Sequence, residues 1–241
     1  MQATAQTASD ALSLYREALE HDALIQSGWH ETGEDGRKLA CALGVLGPTI
    51  NDDAKCPAAI MPRWLAQMVP WFFDRQDFAD AKTWGLAFYA ELARIGGAVP
   101  FSVVHDWHAN VVGPLAIEIA TERNGNIAAH TALADMQAKA LGGAKFSADE
   151  WRPVLKEAYA DANVDAYAYA NVDANVDANV DAYANVDAYA YAYAYAYANV
   201  DADAKRSAMK RLATGMVECL SRVVALAEHE AGVLVRLYRA G

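Results

Sequence analysis

Apolar positions recur at three- and four-residue steps along most of the first 150 residues, interrupted at short intervals by Gly, Pro and Asn-Gly. That step size puts apolar side chains on one face of a helix. Ser9 or Asp10 can cap a first helix reaching about Gln26, with Leu12, Tyr15, Leu19 and Ala23 on one face. The link SGWHETGEDG is too rich in Gly and charge to be regular, and RKLACALGVLG reads as a short apolar helix ending at Gly47-Pro48. Pro62 suits the first turn of the next helix, in which Ile60, Trp64, Leu65, Met68 and Phe72 share a face. Pro70 is expected to kink or shorten it. The clearest amphipathic helix is DFADAKTWGLAFYAELARI, residues 77–95, closed by Gly96-Gly97. FSVVHDWHANVVGPLAIEIATERNG reads as two helical pieces divided at Gly113-Pro114. Asn126 can cap the next helix, which stops at Gly142-Gly143. In FSADEW, Ser147 and Glu150 form a capping box, with Phe146 stapled to Trp151.

From 158 to 204 the pattern changes. Every even position is Ala or Val and every odd position is Tyr, Asn or Asp. Period two ordinarily signals a strand. A strand of this length would span about 150 Å, far beyond the usual five or six residues. The array also has no Gly or Pro to turn hairpins, and Ala, Asn and Asp are poor strand residues. Val spacings vary, which excludes a solenoid of fixed coil length. Ala is the best helix former, so the array reads as a long helix, or as two with a break in its NVDA-rich part. The regularity also fits expansion of a repetitive coding tract. Afterwards Met209, Leu212, Ala213, Met216, Val217, Leu220, Val223, Val224 and Ala227 follow one helical face. Asp201 and Asp203 are spaced to pair with the basic residues that follow. The apolar face must bury against the amino-terminal helices or a second copy.

The fold class expected is therefore all-α. Residues 1–146 form a helical globular domain, 147–204 an Ala-rich repeat helix or arm, and 205–241 an amphipathic last helix. Composition sharpens the division, since all six Trp lie at or before Trp151 and nine of the twelve Tyr lie between Tyr159 and Tyr197. The net charge is −11, and the array holds eight Asp and no basic residue. Such a surface repels phosphate backbones, so nucleic acid is not an expected ligand. The start MQATAQTASD has neither the basic nor the apolar region of a signal peptide, and no apolar run is long enough for a membrane helix. Three cysteines do not make a disulfide framework. A cytoplasmic protein without membrane contact is the expectation.

Candidate chemistry is sparse. His105 and His108, three apart on a helix, point the same way and could hold zinc with a carboxylate such as Asp106 or Glu118, or with Cys41 or Cys56. The plainer reading is two histidines at a helix packing face. Trp29, His30 and Glu31, beside Glu34 and Asp35, form a polar loop cluster. Neither Cys41 nor Cys56 has a neighbouring His to activate it. DANVDANVD imitates the opening of a calcium loop but lacks its Gly and closing Glu. No phosphate-binding, dinucleotide or nucleophile-elbow motif is present, and no cofactor is implied.

ACALGVLGPTI, CPAAIMPRWLA and the Ala-rich repeat ending in AKRSAMKRLATGMVECL resemble stretches of uncharacterised bacterial and phage-associated proteins. The resemblance covers residues 39–70 and 155–225. It implies a helical fold and no activity. In composition alone the chain is also similar to Ala-rich immunity proteins of bacterial toxin systems. The expected role is non-enzymatic: self-association or protein-partner binding through the carboxy-terminal helices. The rivals are a metal-dependent enzyme at His105 and His108, and an acidic immunity or antitoxin protein.

Overall fold

The computed structural model describes residues 4–162 and 202–224. Most of the array lies outside them, as do the pairing expected of Asp201 and Asp203 and the face beyond Val224. The described residues are mostly helical, so the chain is all-α, with one two-stranded hairpin added. It divides into two compact units, Met1–Pro100 with Val217–Gly241, and Phe101–Met216.

The first unit is built on α1 (Ala8–Glu20), α2 (Arg63–Asp74) and α3 (Phe78–Ile95). α1 is capped by Thr7 instead of Ser9 or Asp10 and so starts two or three residues earlier than expected, because Thr7 and Asp10 make a reciprocal capping box. It also stops short of Gln26. Asp22 adopts a left-handed conformation (φ 48°), and the Ala23 N–H turns back to Ala18 O at 2.8 Å. This is the hydrogen-bond pattern of a Schellman stop, which seals the helix's last carbonyls. The buried face is Ala8, Ala11 and Tyr15.

α2 buries eight of its twelve residues, Trp64, Leu65, Met68 and Phe72 among them. Pro70 does not shorten it: the helix continues to Asp74. Side chains cover its exposed end: Gln76 Nε2 donates to Phe72 O at 2.9 Å and Gln26 Nε2 to Phe73 O at 2.5 Å. α3 runs as its periodicity predicts and ends at left-handed Gly96. Its Trp84 stacks on Phe88 at 5.0 Å and meets Phe72 of α2 at 5.5 Å. Each such buried ring contributes roughly 2–3 kcal/mol by leaving water.

Two segments between α1 and α2 differ from expectation. The link expected to be irregular holds β1 (His30–Thr32), paired antiparallel with β2 (Lys38–Ala40). Gly36, at φ 80°, makes the turn, and the Asp35 carboxylate accepts the Arg37 N–H. The stretch expected to be helical is β2 followed by a 3-10 turn, Gly44–Leu46. Ala40 is bonded through its N–H to Ala23 O and through its carbonyl to the Ile25 N–H, both at 3.0 Å. With β1 on one side and this segment on the other, β2 is fixed as extended chain. The buried Tyr89 hydroxyl then donates to Ala42 O at 2.7 Å, tying the segment to α3.

The second unit starts with α4 (Ser102–Trp107), which passes through a π-helical turn (His108–Val112) into α5 (Gly113–Arg123). The expected division at Gly113-Pro114 is thus a widening instead of a break. Pro114 cannot donate to the carbonyl four residues back, and its ring crowds that carbonyl. The Gly113 N–H reaches His108 O, one residue further, as a π turn requires. α6 (Ile127–Leu141) and α7 (Ala148–Ala162) follow, and α8 (Ala202–Ser221) closes the described chain. Asn126 caps α6 as expected, accepting the Ala129 N–H. At α7 Glu150 reaches back to the Ser147 N–H at 2.7 Å, while the Ser147 hydroxyl donates to the same carboxylate. Phe146 meets Trp151 edge-on at 5.6 Å.

α8 buries Met209, Leu212, Ala213, Met216 and Leu220 of the face expected of it, but Val217 and Val223 are only half-buried and Val224, past the helix end at Ser221, is exposed. Within the second unit, Trp107 Nε1 donates to Leu212 O at 2.9 Å, and Arg211 grips Glu118 through two 2.8 Å bonds. Within the first, Arg94 donates to Leu220 O at 2.8 Å.

Candidate functional site

The loop cluster singled out in the sequence lies at an open groove of about 920 Å³ in the first unit. Glu17 and Ala18 of α1 with His21 at its C-cap form one wall, and His30, Glu31, Lys38, Leu39 and Ala40 of the hairpin form the other. Ala23, Val45 and Pro48 add to an apolar lining. Each wall is anchored by its own hydrogen bonds. His30 Nε2 lies 3.0 Å from Gly44 O and, since a carbonyl only accepts, donates to it. Gly44 has to be glycine, since a Cβ there would stand 2.2 Å from Trp29 O. Arg37 donates to His21 O at 2.9 Å and Asp22 O at 3.3 Å, covering carbonyls at the end of α1, and pairs with Asp35 at 2.5 Å. A cation is favourable at that end of a helix. Lys38 Nζ donates to the Thr32 hydroxyl at 2.7 Å.

His30 and Glu31 therefore do share a concave surface. Trp29 contributes its backbone, which accepts the Cys41 N–H at 3.2 Å, and its side chain is half-buried outside the lining. The sequence reading missed Glu17, His21, Arg37 and Lys38. Glu17 and His21 stand four apart, a same-face signal, but nothing local shows which face of α1 meets the hairpin.

His105 and His108 lie in the second unit and have separate surroundings. His105 Nδ1 is 2.7 Å from Gln137 Oε1, and its ring lies parallel to Trp151 with centroids 6.2 Å apart. His108 is buried in the π turn, its ring edge-on to Trp107. Burial, helped by the nearby His105, pushes the His108 pKa down to about 3, so it is neutral at physiological pH. Among the described residues no three His, Cys, Asp or Glu side chains gather as a metal site would require. The calcium-like run lies outside the described residues.

A third polar group was not foreseen. Asp161, in the last turn of α7, bonds His130 Nε2 at 2.9 Å and accepts the Asn126 N–H at 2.5 Å. Burial pushes the Asp161 carboxyl up, but these two bonds more than offset that and leave it below its ordinary value. Burial of His130 outweighs its acidic partner and lowers its pKa. The pair joins α6 to α7. The Cys41 and Cys56 thiols are poorly placed for nucleophilic work. Burial raises Cys41, and burial with nearby Asp53 pushes Cys56 up to about 12.

No family model, curated protein or solved structure matches the chain. Among the described residues no helix is long and apolar enough to cross a membrane.

Proposed function

We propose that this chain is a helical binding protein, not an enzyme, and that it engages a protein partner through the groove between α1 and the hairpin. One observation carries the reading. The groove, about 920 Å³, falls in the size range of ligand-binding clefts and combines an apolar lining with ionisable side chains from both walls. Its walls are held by the His30–Gly44 bond and the Arg37 bonds to the end of α1, so the shape exists before any partner arrives. Preorganisation of this kind lowers the entropy cost of association. The other surface expected to bind, the apolar face of the last helix, is buried on the chain itself through Leu220.

The test is a photoreactive phenylalanine analogue placed at Leu39 or Ala18 in the groove, or at exposed Ala132 in the second unit, in cells that make the protein. Adducts from the two groove positions that are missing from Ala132 support the reading. Equal labelling at all three positions, or none at any, defeats it.

A further inference from the structure

The groove's charges indicate what it takes, and this inference rests on the binding role just proposed. Glu17 on α1 and Glu31 on β1 both line it, one from each wall. Neither carboxylate has an ion-pair partner among the described residues. Of the lining cations, Arg37 is matched by the Asp35 carboxylate and donates to two helix carbonyls, while Lys38 donates to the neutral Thr32 hydroxyl and keeps its charge. Two carboxylates thus stand against one ammonium, and the lining keeps a net negative balance. The lining also has a large apolar share, from Ala18, Ala23, Leu39, Ala40, Val45 and Pro48. We infer that the occupant is a short basic segment of a protein partner, with aliphatic side chains on the apolar surface and Lys or Arg reaching Glu17 and Glu31.

Two physical points support this occupant. An acidic segment would bring like charge against unpaired carboxylates, which costs binding energy and slows encounter. The whole chain carries −11, so its field draws basic partners in and repels acidic ones. Polyanions such as nucleic acid are disfavoured on the same grounds.

The probe is a phage-displayed library of random dodecapeptides, selected on the full chain and counter-selected on two groove-filled variants, Ala18→Trp and Leu39→Trp. Using both variants guards against one that fails to fold, which circular dichroism would reveal. Groove-dependent binders are expected to pair aliphatic residues with Lys or Arg. Their synthetic forms are expected to lose about tenfold in affinity on the Glu17→Gln/Glu31→Gln chain and to weaken as salt rises. Groove-dependent binders that are neutral or acidic, or that are unaffected by the double Gln change, overturn the basic occupant while leaving the groove as a binding site. A selection that yields no groove-dependent binder overturns the binding role itself, and this inference with it.

Discussion

Tyr15 of α1 lies directly over Gly85 of α3: a Cβ built on Gly85 would stand 2.2 Å from the tyrosine hydroxyl oxygen and 2.4 Å from its ring. The phenol is wholly buried, its hydroxyl donates to Lys82 O at 3.1 Å, and its ring lies 5.1 Å from Tyr89. The two helices approach this closely because one of them lacks a side chain there. Gly85→Ala should destabilise the protein by about 2–3 kcal/mol, an overpacking cost, despite alanine's better helix propensity. Tyr15→Leu combined with Gly85→Ala should cost clearly less than the two changes summed. Urea unfolding of the four proteins gives the coupling directly; simple additivity would show that the ring and the glycine do not constrain each other.

Asp161 fastens the end of α7 to the start of α6. Asp161→Asn keeps the shape but loses the charge facing His130, and Asp161→Ala also leaves the Asn126 N–H without its acceptor. The expected order of stability is wild type, then Asn, then Ala, with the Ala variant lower by about 2–3 kcal/mol. Thermal or urea unfolding checks the order, and equal stability of Asn and Ala would contradict it.

His108 should make the protein acid-sensitive. Its folded pKa, about 3, is below the ordinary value near 6.5, so the unfolded chain binds a proton that the folded chain refuses. Stability from this residue is full above about pH 6.5 and is lost as pH falls towards 3, at up to about 1.4 kcal/mol per pH unit. The depressed His130 adds a change of the same sign. His108→Phe should flatten the dependence of unfolding free energy on pH between 6.5 and 4, where carboxylates contribute less. An unchanged slope would mean that His108 takes up its proton in place.

Asp22 carries a left-handed backbone that glycine adopts more easily. Asp22→Gly should raise stability by roughly 0.5 kcal/mol, even after losing the long, exposed 3.4 Å contact with Lys82. A small rise in melting temperature with no change in secondary structure is the expected result.

The sequence carried some of this plainly and hid the rest for identifiable reasons. α3, the caps at Asn126 and Glu150, and the face of α8 were legible because each depends on residues within one or two turns. The hairpin was not. Its strands are three residues each, too short for a period, and β2 is held extended by Ala23 and Ile25, about fifteen residues earlier. The end of α1 was missed because Asp22, not glycine, takes the left-handed position. His30 and Glu31 were found as a polar pair, but their groove needed α1 beside them. In the sequence Asp161 is one unit of a repeat, and only His130, 31 residues away, gives it a specific place.

Arg94 and the Leu220 carbonyl it bonds are separated by 126 residues. The first unit is therefore assembled from both ends of the described chain, with the whole second unit inserted in its sequence. A ribosome would release Arg94 long before its acceptor exists. That contact of the amino-terminal half can form only after Leu220 has been made, and a truncated product ending within the array would leave the half without it.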